Sequence, residues 1–186
     1  MKKFDTRDMD LIQSAVIFAA DKHAGQLRKY NNTPYFLHPA RVAARVGQHQ
    51  LGTADAVAAA YLHDVVEDTD TSLQTVEALF GLEVASLVEM LTNASKAEEH
   101  RKKNRAARKR IDREHIAAAS KEAKLIKLID RIDNLTEIDE GDYFTKIYAA
   151  ESRLMAEALA GVDDVLLAEL LQLADKLEAY WEDKHK

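Results

Sequence analysis

The chain has no cysteine among its 186 residues. That excludes a disulfide framework, thiolate metal ligation and a cysteine nucleophile. It has only 2 prolines and 6 glycines, too few turn-forming residues for a many-stranded sandwich or barrel and far from a collagenous or disordered composition. Long apolar runs are missing as well: the longest uncharged one, residues 56–63, falls far short of the ~20 residues a membrane span needs. The N-terminal MKKFDTRDMD is basic but has no apolar stretch behind it, so no secretory signal is expected. What is present is a globular composition, 47% hydrophobic and 31% charged, with 26 Lys+Arg against 32 Asp+Glu for a net charge of −6. At about 150 residues per domain, the length predicts one domain over residues 1–186. The expectation is a soluble, mildly acidic, cytoplasmic helical protein with no membrane partner.

Helical periodicity runs through nearly the whole chain. Ile12, Ala15, Val16 and Ala19 recur at helical spacing and predict a helix from about residue 8 to 22. Residues 26–39 hold both prolines and an NNT triplet, which predicts a loop, or at most a short hairpin near 26–36. A second helix is expected from Pro39, a good first-turn residue, to about 49, and a third over 55–66. In the third, Val57 to Leu62 are apolar on all sides, which places it in the middle of the domain. Thr71 and Gln74 have the spacing of a capping box for a short helix closing at Gly81. Residues 95–116 are charged and nearly patternless, whereas 124–138 carry Leu125, Ile126, Leu128, Ile129, Ile132 and Leu135 around most of a helix. Further helices are expected around 147–160 and beyond Gly161. In the last of these, Leu166, Leu170, Leu173, Leu177 and Tyr180 form a heptad-like seam, read first as intramolecular core and second as a homo-oligomer contact. The fold class is all-α.

The chemistry concentrates in AAAYLHDVVEDTD, where His63 and Asp64 sit in the most apolar helix, followed by Glu67, Asp68 and Asp70. A buried carboxylate without a cation costs several kcal/mol, and no Lys or Arg lies within this segment. Glu67 is four residues beyond His63 and Asp68 four beyond Asp64, so the pairs stack along one helix side. Two readings follow: a divalent ion gathers the carboxylates, or the helix end simply emerges into solvent. His38, in YFLHP, and Asp130, on the helix that is apolar nearly all round, are the remaining inward-pointing candidates. His38, His63, Asp64 and Asp130 would make a two-His, two-carboxylate set suited to manganese, iron or zinc, with positions left for water and phosphate. The plainer alternatives are a satisfied core histidine at 38 and a salt bridge from Asp130 to Lys127 or Arg131.

The order H…HD…D resembles that of the HD-type metal phosphohydrolases. Four blocks are more specific: FAADKHAGQLRKYNNTPYFLHPARVA, AAAYLHDVVEDT, FGLEVASLVEMLT and SKEAKLIKLIDRIDNL. Together they resemble, over about residues 10–160, the hydrolase domain of the RelA/SpoT homologues. The short length is similar to that of a stand-alone small alarmone hydrolase. The resemblance implies an HD-domain helical bundle. It implies His38, His63, Asp64 and Asp130 as metal ligands, with Mn2+ the usual ion, and Glu67 and Asp68 as the acidic pair handling the attacking water. It also implies Arg28 and Lys29 as the basic pair holding the nucleotide base and phosphates, Asn134 as a pocket asparagine and Tyr148 as a substrate contact. A basic residue expected four positions before Tyr148 is here Phe144, which leaves Lys146 as its substitute or the contact absent. The implied substrate is a small-molecule nucleotide, (p)ppGpp or (p)ppApp, losing its 3′-pyrophosphate. Arg28 suits a purine face through its planar guanidinium, and Lys29 offers a point charge for phosphate.

Two rivals remain at this stage: another HD-domain nucleotide phosphohydrolase, and a non-catalytic nucleotide- or RNA-binding helical module. The second draws on HRKKNRAARKRIDR at residues 100–113, where positive charge would meet phosphate. A solvated helix is the preferred reading of that run in a protein of net negative charge, so nucleic acid is not the expected partner. His23, on the core stripe, is expected to be a packing residue. His49, His100, His115 and His185 show no partner pattern.

Overall fold

The computed structural model describes residues 4–97, 100 and 102–184. Among the described residues the chain forms ten α-helices and one 3-10 turn and no strand. In order these are α1 (Thr6–Lys22), α2 (Leu37–Gln48), α3 (Ala54–Leu62), α4 (Val65–Asp68), α5 (Leu73–Phe80), α6 (Leu82–Leu91), the 3-10 turn Ala94–Lys96, α7 (Arg105–Ala117), α8 (Lys121–Glu137), α9 (Tyr143–Ala158) and α10 (Asp164–Lys184). No helix among the described residues is long and apolar enough to cross a membrane.

The central position of α3 follows from its sequence: Ala56, Val57, Ala58, Ala59, Ala60 and Leu62 are all buried. With no polar face to give to water, the helix is covered by α1, α2, α6 and α8. Its run of alanines lets these neighbours approach closely. α8 is the second central element, with Leu125, Ile126, Leu128, Ile129 and Ile132 buried together with Asp130, Arg131 and Asp133. α9 and α10 pack on each other, and α10 also covers α8. The seam on α10 is therefore intramolecular core, with Leu170 and Leu177 buried.

Several boundaries differ from expectation for local reasons. α2 starts at Leu37, so His38 lies inside its first turn and Pro39 is its third residue, where a helix still has no use for the missing N–H. The helix expected over 55–66 breaks at His63–Asp64 into α3 and α4, which offsets the acidic residues from the axis of α3. Ser72, rather than Thr71, caps α5 by accepting from Thr75 N, because the Thr71 hydroxyl already accepts from Thr69 at 2.8 Å. The patternless 95–116 stretch contains α7, whose one strongly apolar anchor, Ile116, is buried beside a buried Asp112 that accepts from Ser95 N at 3.0 Å. So sparse an apolar stripe gives little periodicity to read. Loop 26–36 holds a single antiparallel bridge, Leu27 to Pro34. Gly52 makes the α2–α3 turn possible, since a Cβ there would lie 2.0 Å from the Val46 carbonyl oxygen.

Candidate metal and nucleotide site

α2, the α3–α4 break and α8 bring His38, His63, Asp64 and Asp130 to one point. His38 and His63 are fully buried and their rings meet edge to face at 5.2 Å. One donor atom each from His38, His63 and Asp130 lie within 4.8 Å of one another. Asp64 stands beside this triad, with Oδ2 at 3.0 Å from His63 Nε2 and 3.7 Å from His38 Nε2. Asp130 Oδ1 lies 3.2 Å from His38 Nε2 and 3.8 Å from His63 Nε2.

The outer ring nitrogens explain the orientation. His63 Nδ1 donates to the Ala60 carbonyl at 2.8 Å, and His38 Nδ1 meets Asp133 Oδ2 at 2.6 Å. Both Nε2 atoms are buried and form no hydrogen bond. Two such nitrogens, aimed with a carboxylate at one point, fit a divalent cation: each imidazole is held through Nδ1 and offers Nε2. Without a cation, protons take its place. Burial opposes charge on His38, but Asp130 and Asp133 outweigh it and push its pKa up to about 9. Burial likewise opposes charge on His63, and Asp64 raises it. Burial alone would raise Asp64 and Asp130. His63 holds Asp64 below the usual carboxylate range, while Lys127 and His38 do the same for Asp130. The Lys127 ammonium sits 3.0 Å from Asp130 Oδ2, so the alternative expected for Asp130, a salt bridge, coexists with its place in the cluster.

Glu67 and Asp68 are separated by their partners. Glu67 Oε1 accepts from Asn93 N at 2.6 Å and Oε2 from Asn93 Nδ2 at 2.9 Å. Lys96 Nζ adds a third contact to Oε2 at 2.7 Å. Asp68 is more open: Oδ2 accepts from the Tyr35 hydroxyl at 3.1 Å, and Lys96 lies 3.6 Å from Oδ1. Tyr35 also reaches Asp64 Oδ2 at 2.7 Å. Its ring stacks on His23 at 4.8 Å and lies beneath the Arg28 guanidinium at 5.4 Å. His23 is thus the buried packing residue expected.

A cleft of about 310 Å³ opens beside the cluster, lined by Arg28, Lys29, Tyr35, Asn134, Phe144 and Tyr148 among others. Asn134 bridges cleft and cluster, donating to Asp130 Oδ1 at 2.6 Å and accepting from Arg28 at 2.7 Å. Arg28 also pairs with Glu137 at 2.8 Å. Lys29 pairs with Asp142 at 2.8 Å, a bond that lowers the Asp142 carboxyl to about 2. Lys146 is exposed and does not line the cleft. The cations against Phe144 come instead from Arg105 of α7, at 5.0 Å from the ring centroid, and from Lys29, at 5.7 Å. The basic run is α7 and the residues before it, with Arg101 outside the described residues. Several of its charges are internally paired, Arg105 with Glu151, Lys109 with Asp112 and Arg110 with Glu114. His49 meets Asp163 and His115 the Glu89 carbonyl, while His185 is outside the described residues.

Nine of the ten expected site residues thus lie in the cluster, in contact with it or along the cleft, whereas Glu67 is turned toward Asn93 and Lys96 and reaches Asp68 only through the shared Lys96. Sequence reasoning missed Asp133, Arg41, Tyr35, Lys96 and Glu137. The helical spacing Asp130, Asp133, Asn134, Glu137 was a usable signal for two of them, because it lines one face of α8.

Known proteins resemble the chain over most of its length. The HD domain family profile matches residues 15–165. The chain is 40% identical over 134 residues to the guanosine-3′,5′-bis(diphosphate) 3′-pyrophosphohydrolase MESH1 of Xenopus tropicalis, covering 70% of this chain and 71% of that one. A Synechocystis probable guanosine-3′,5′-bis(diphosphate) 3′-pyrophosphohydrolase is 43% identical over 137 residues, spanning 69% of this chain but only 17% of its own length. Among solved structures, a metazoan ortholog of SpoT that hydrolyzes ppGpp superposes with a TM-score of 0.77 at 31% identity, covering 95% of this chain and 98% of that one.

Proposed function

The chain belongs to the HD-domain family, and on that premise we propose that it is a metal-dependent hydrolase of the alarmone ppGpp, removing the 3′-pyrophosphate. The observation that carries the reading is the pair of buried Nε2 atoms that form no hydrogen bond and converge with Asp130 and Asp64 next to a cleft of nucleotide size. His38, His63, Asp64 and Asp130 hold the divalent ion, assigned as Mn2+ from the family resemblance and the mixed nitrogen and oxygen donors. When bound, such an ion polarises a phosphate ester and lowers the pKa of water.

The other roles belong to the chain. Arg28 leaves Glu137 and Asn134 enough to lay its planar guanidinium on the purine, and Lys29 exchanges Asp142 for phosphate. Asn134 and Tyr148, which line the cleft, contact the bound nucleotide. Asp68 takes the proton of the attacking water, since both Glu67 oxygens are already occupied by Asn93 and Lys96. Glu67 positions Asp68 through their shared Lys96. The water oxygen bonds to phosphorus as the bond from phosphorus to the ribose 3′ oxygen breaks, the proton taken up by Asp68 passes to that oxygen, and GDP and pyrophosphate leave. The protein works on a nucleotide pool of the cytoplasm.

The test is to incubate the manganese-loaded protein with ppGpp, ppApp, nucleoside monophosphates and cyclic nucleotides and follow products by phosphorus NMR. Pyrophosphate released with GDP from ppGpp supports the reading. Turnover confined to monophosphates or cyclic nucleotides overturns it in favour of another HD-type hydrolase, and binding without turnover favours a sensor.

A further inference from the structure

The two histidines of the cluster are oriented by unlike partners. His63 Nδ1 rests on a neutral main-chain carbonyl, Ala60 O, at 2.8 Å. His38 Nδ1 meets a carboxylate, Asp133 Oδ2, at 2.6 Å. That carboxylate is nearly buried, with a side chain 9% exposed, and would be costly there unless paired. Arg41 supplies the pair in a fork: Nε reaches Asp133 Oδ1 at 2.7 Å and Nη2 reaches Oδ2 at 2.9 Å. Arg41 Nη2 also meets Glu137 Oε1, whose other oxygen is held by Arg28.

The register makes this arrangement rigid. His38 and Arg41 lie three apart on α2, and Asp130 and Asp133 three apart on α8. Each helix thus presents one cluster residue and, about one turn later, one support. A charged acceptor at Nδ1 pins the ring and enriches its other nitrogen more than a carbonyl does.

We propose that Asp133, clamped by Arg41, is a positioning residue that holds His38 with its proton on Nδ1, and so makes His38 the stronger donor of the two imidazoles and sets the affinity of the site for its divalent ion. This rests on the reading of His38 as a ligand but not on the identity of the substrate.

The test measures Mn2+ affinity of the metal-stripped protein by chelator competition, without nucleotide, for the wild type, Asp133→Asn and Arg41→Met. Asp133→Asn keeps the shape and removes the charge; Arg41→Met keeps the aliphatic stem and removes the fork. The expected result is a loss of about 10- to 100-fold for Asp133→Asn, with a smaller loss in the same direction for Arg41→Met. Saturating Mn2+ should then restore kcat with KM unchanged, which a merely unfolded fraction would not do. Wild-type affinity in Asp133→Asn overturns the proposal. Absence of metal binding by the wild type overturns it together with the ligand reading, whereas metal binding without ppGpp cleavage overturns only the substrate reading.

Discussion

The His/Asp cluster and the nucleotide cleft are neighbours built on opposite principles. The cluster takes its residues from α2, α8 and the break between α3 and α4, and its side chains are largely buried and cross-braced: His38 by Asp133, His63 by Ala60, Asp130 by Lys127 and Asn134. The cleft takes Arg28 and Lys29 from loop 26–36, and these are already satisfied by Glu137 and Asp142. The first is organised before anything binds; the second must exchange internal ion pairs for ligand. The contrast teaches that chemistry and recognition should fail differently, one in kcat or metal affinity and the other in KM and salt dependence.

The sharpest way to break the comparison is Asp64→Ala, which removes a carboxylate from the cluster and should cut kcat/KM by on the order of 10³–10⁴-fold, read in a pyrophosphate-release assay. Activity near wild type would mean that the ion, if one binds, is not held there. Next in size is the acid pair: Asp68→Asn should lower kcat by about 10²–10⁴-fold, and Glu67→Gln by clearly less, in steady-state kinetics at saturating substrate. The reverse order would move the proton acceptor to Glu67.

The legible part of the protein matches its regular part. Helices with dense apolar stripes, α1 and α8, were readable because burial imposes a period on sequence. The His38, His63, Asp64 and Asp130 set was readable because polar residues in apolar surroundings demand partners. α7 was not, since it is anchored by Ile116 and a buried Asp112 rather than by a stripe. The supports of the cluster were harder still. Asp133 on Arg41 looks in sequence like two unrelated surface charges, and only the packing of α2 on α8 brings them together. Lys96 reaches Glu67 across 29 positions, which no local spacing reveals.

A third prediction concerns pH in the chelated protein. The His38 pKa rises from its ordinary 6.5 to about 9 on folding. The resulting stabilisation is present in full below pH 6.5 and lost as pH climbs through about 9, an effect of roughly 3 kcal/mol. Urea unfolding in chelator should therefore show stability falling from pH 6.5 to 9. A flat or rising profile would contradict the proton-filled cluster. The smallest effect belongs to the cleft: Lys29→Met should raise KM a few-fold, leave kcat unchanged and weaken the salt dependence of kcat/KM, because an exposed cation is largely screened. A fall in kcat instead would erase the distinction between the two regions.

The most direct measurement follows pyrophosphate release from ppGpp while Mn2+ is titrated into chelator-stripped protein. No release from the stripped protein, and full activity at one ion per chain, is the result expected of a single cation held by His38, His63, Asp64 and Asp130. Undiminished release from fully stripped protein would contradict it.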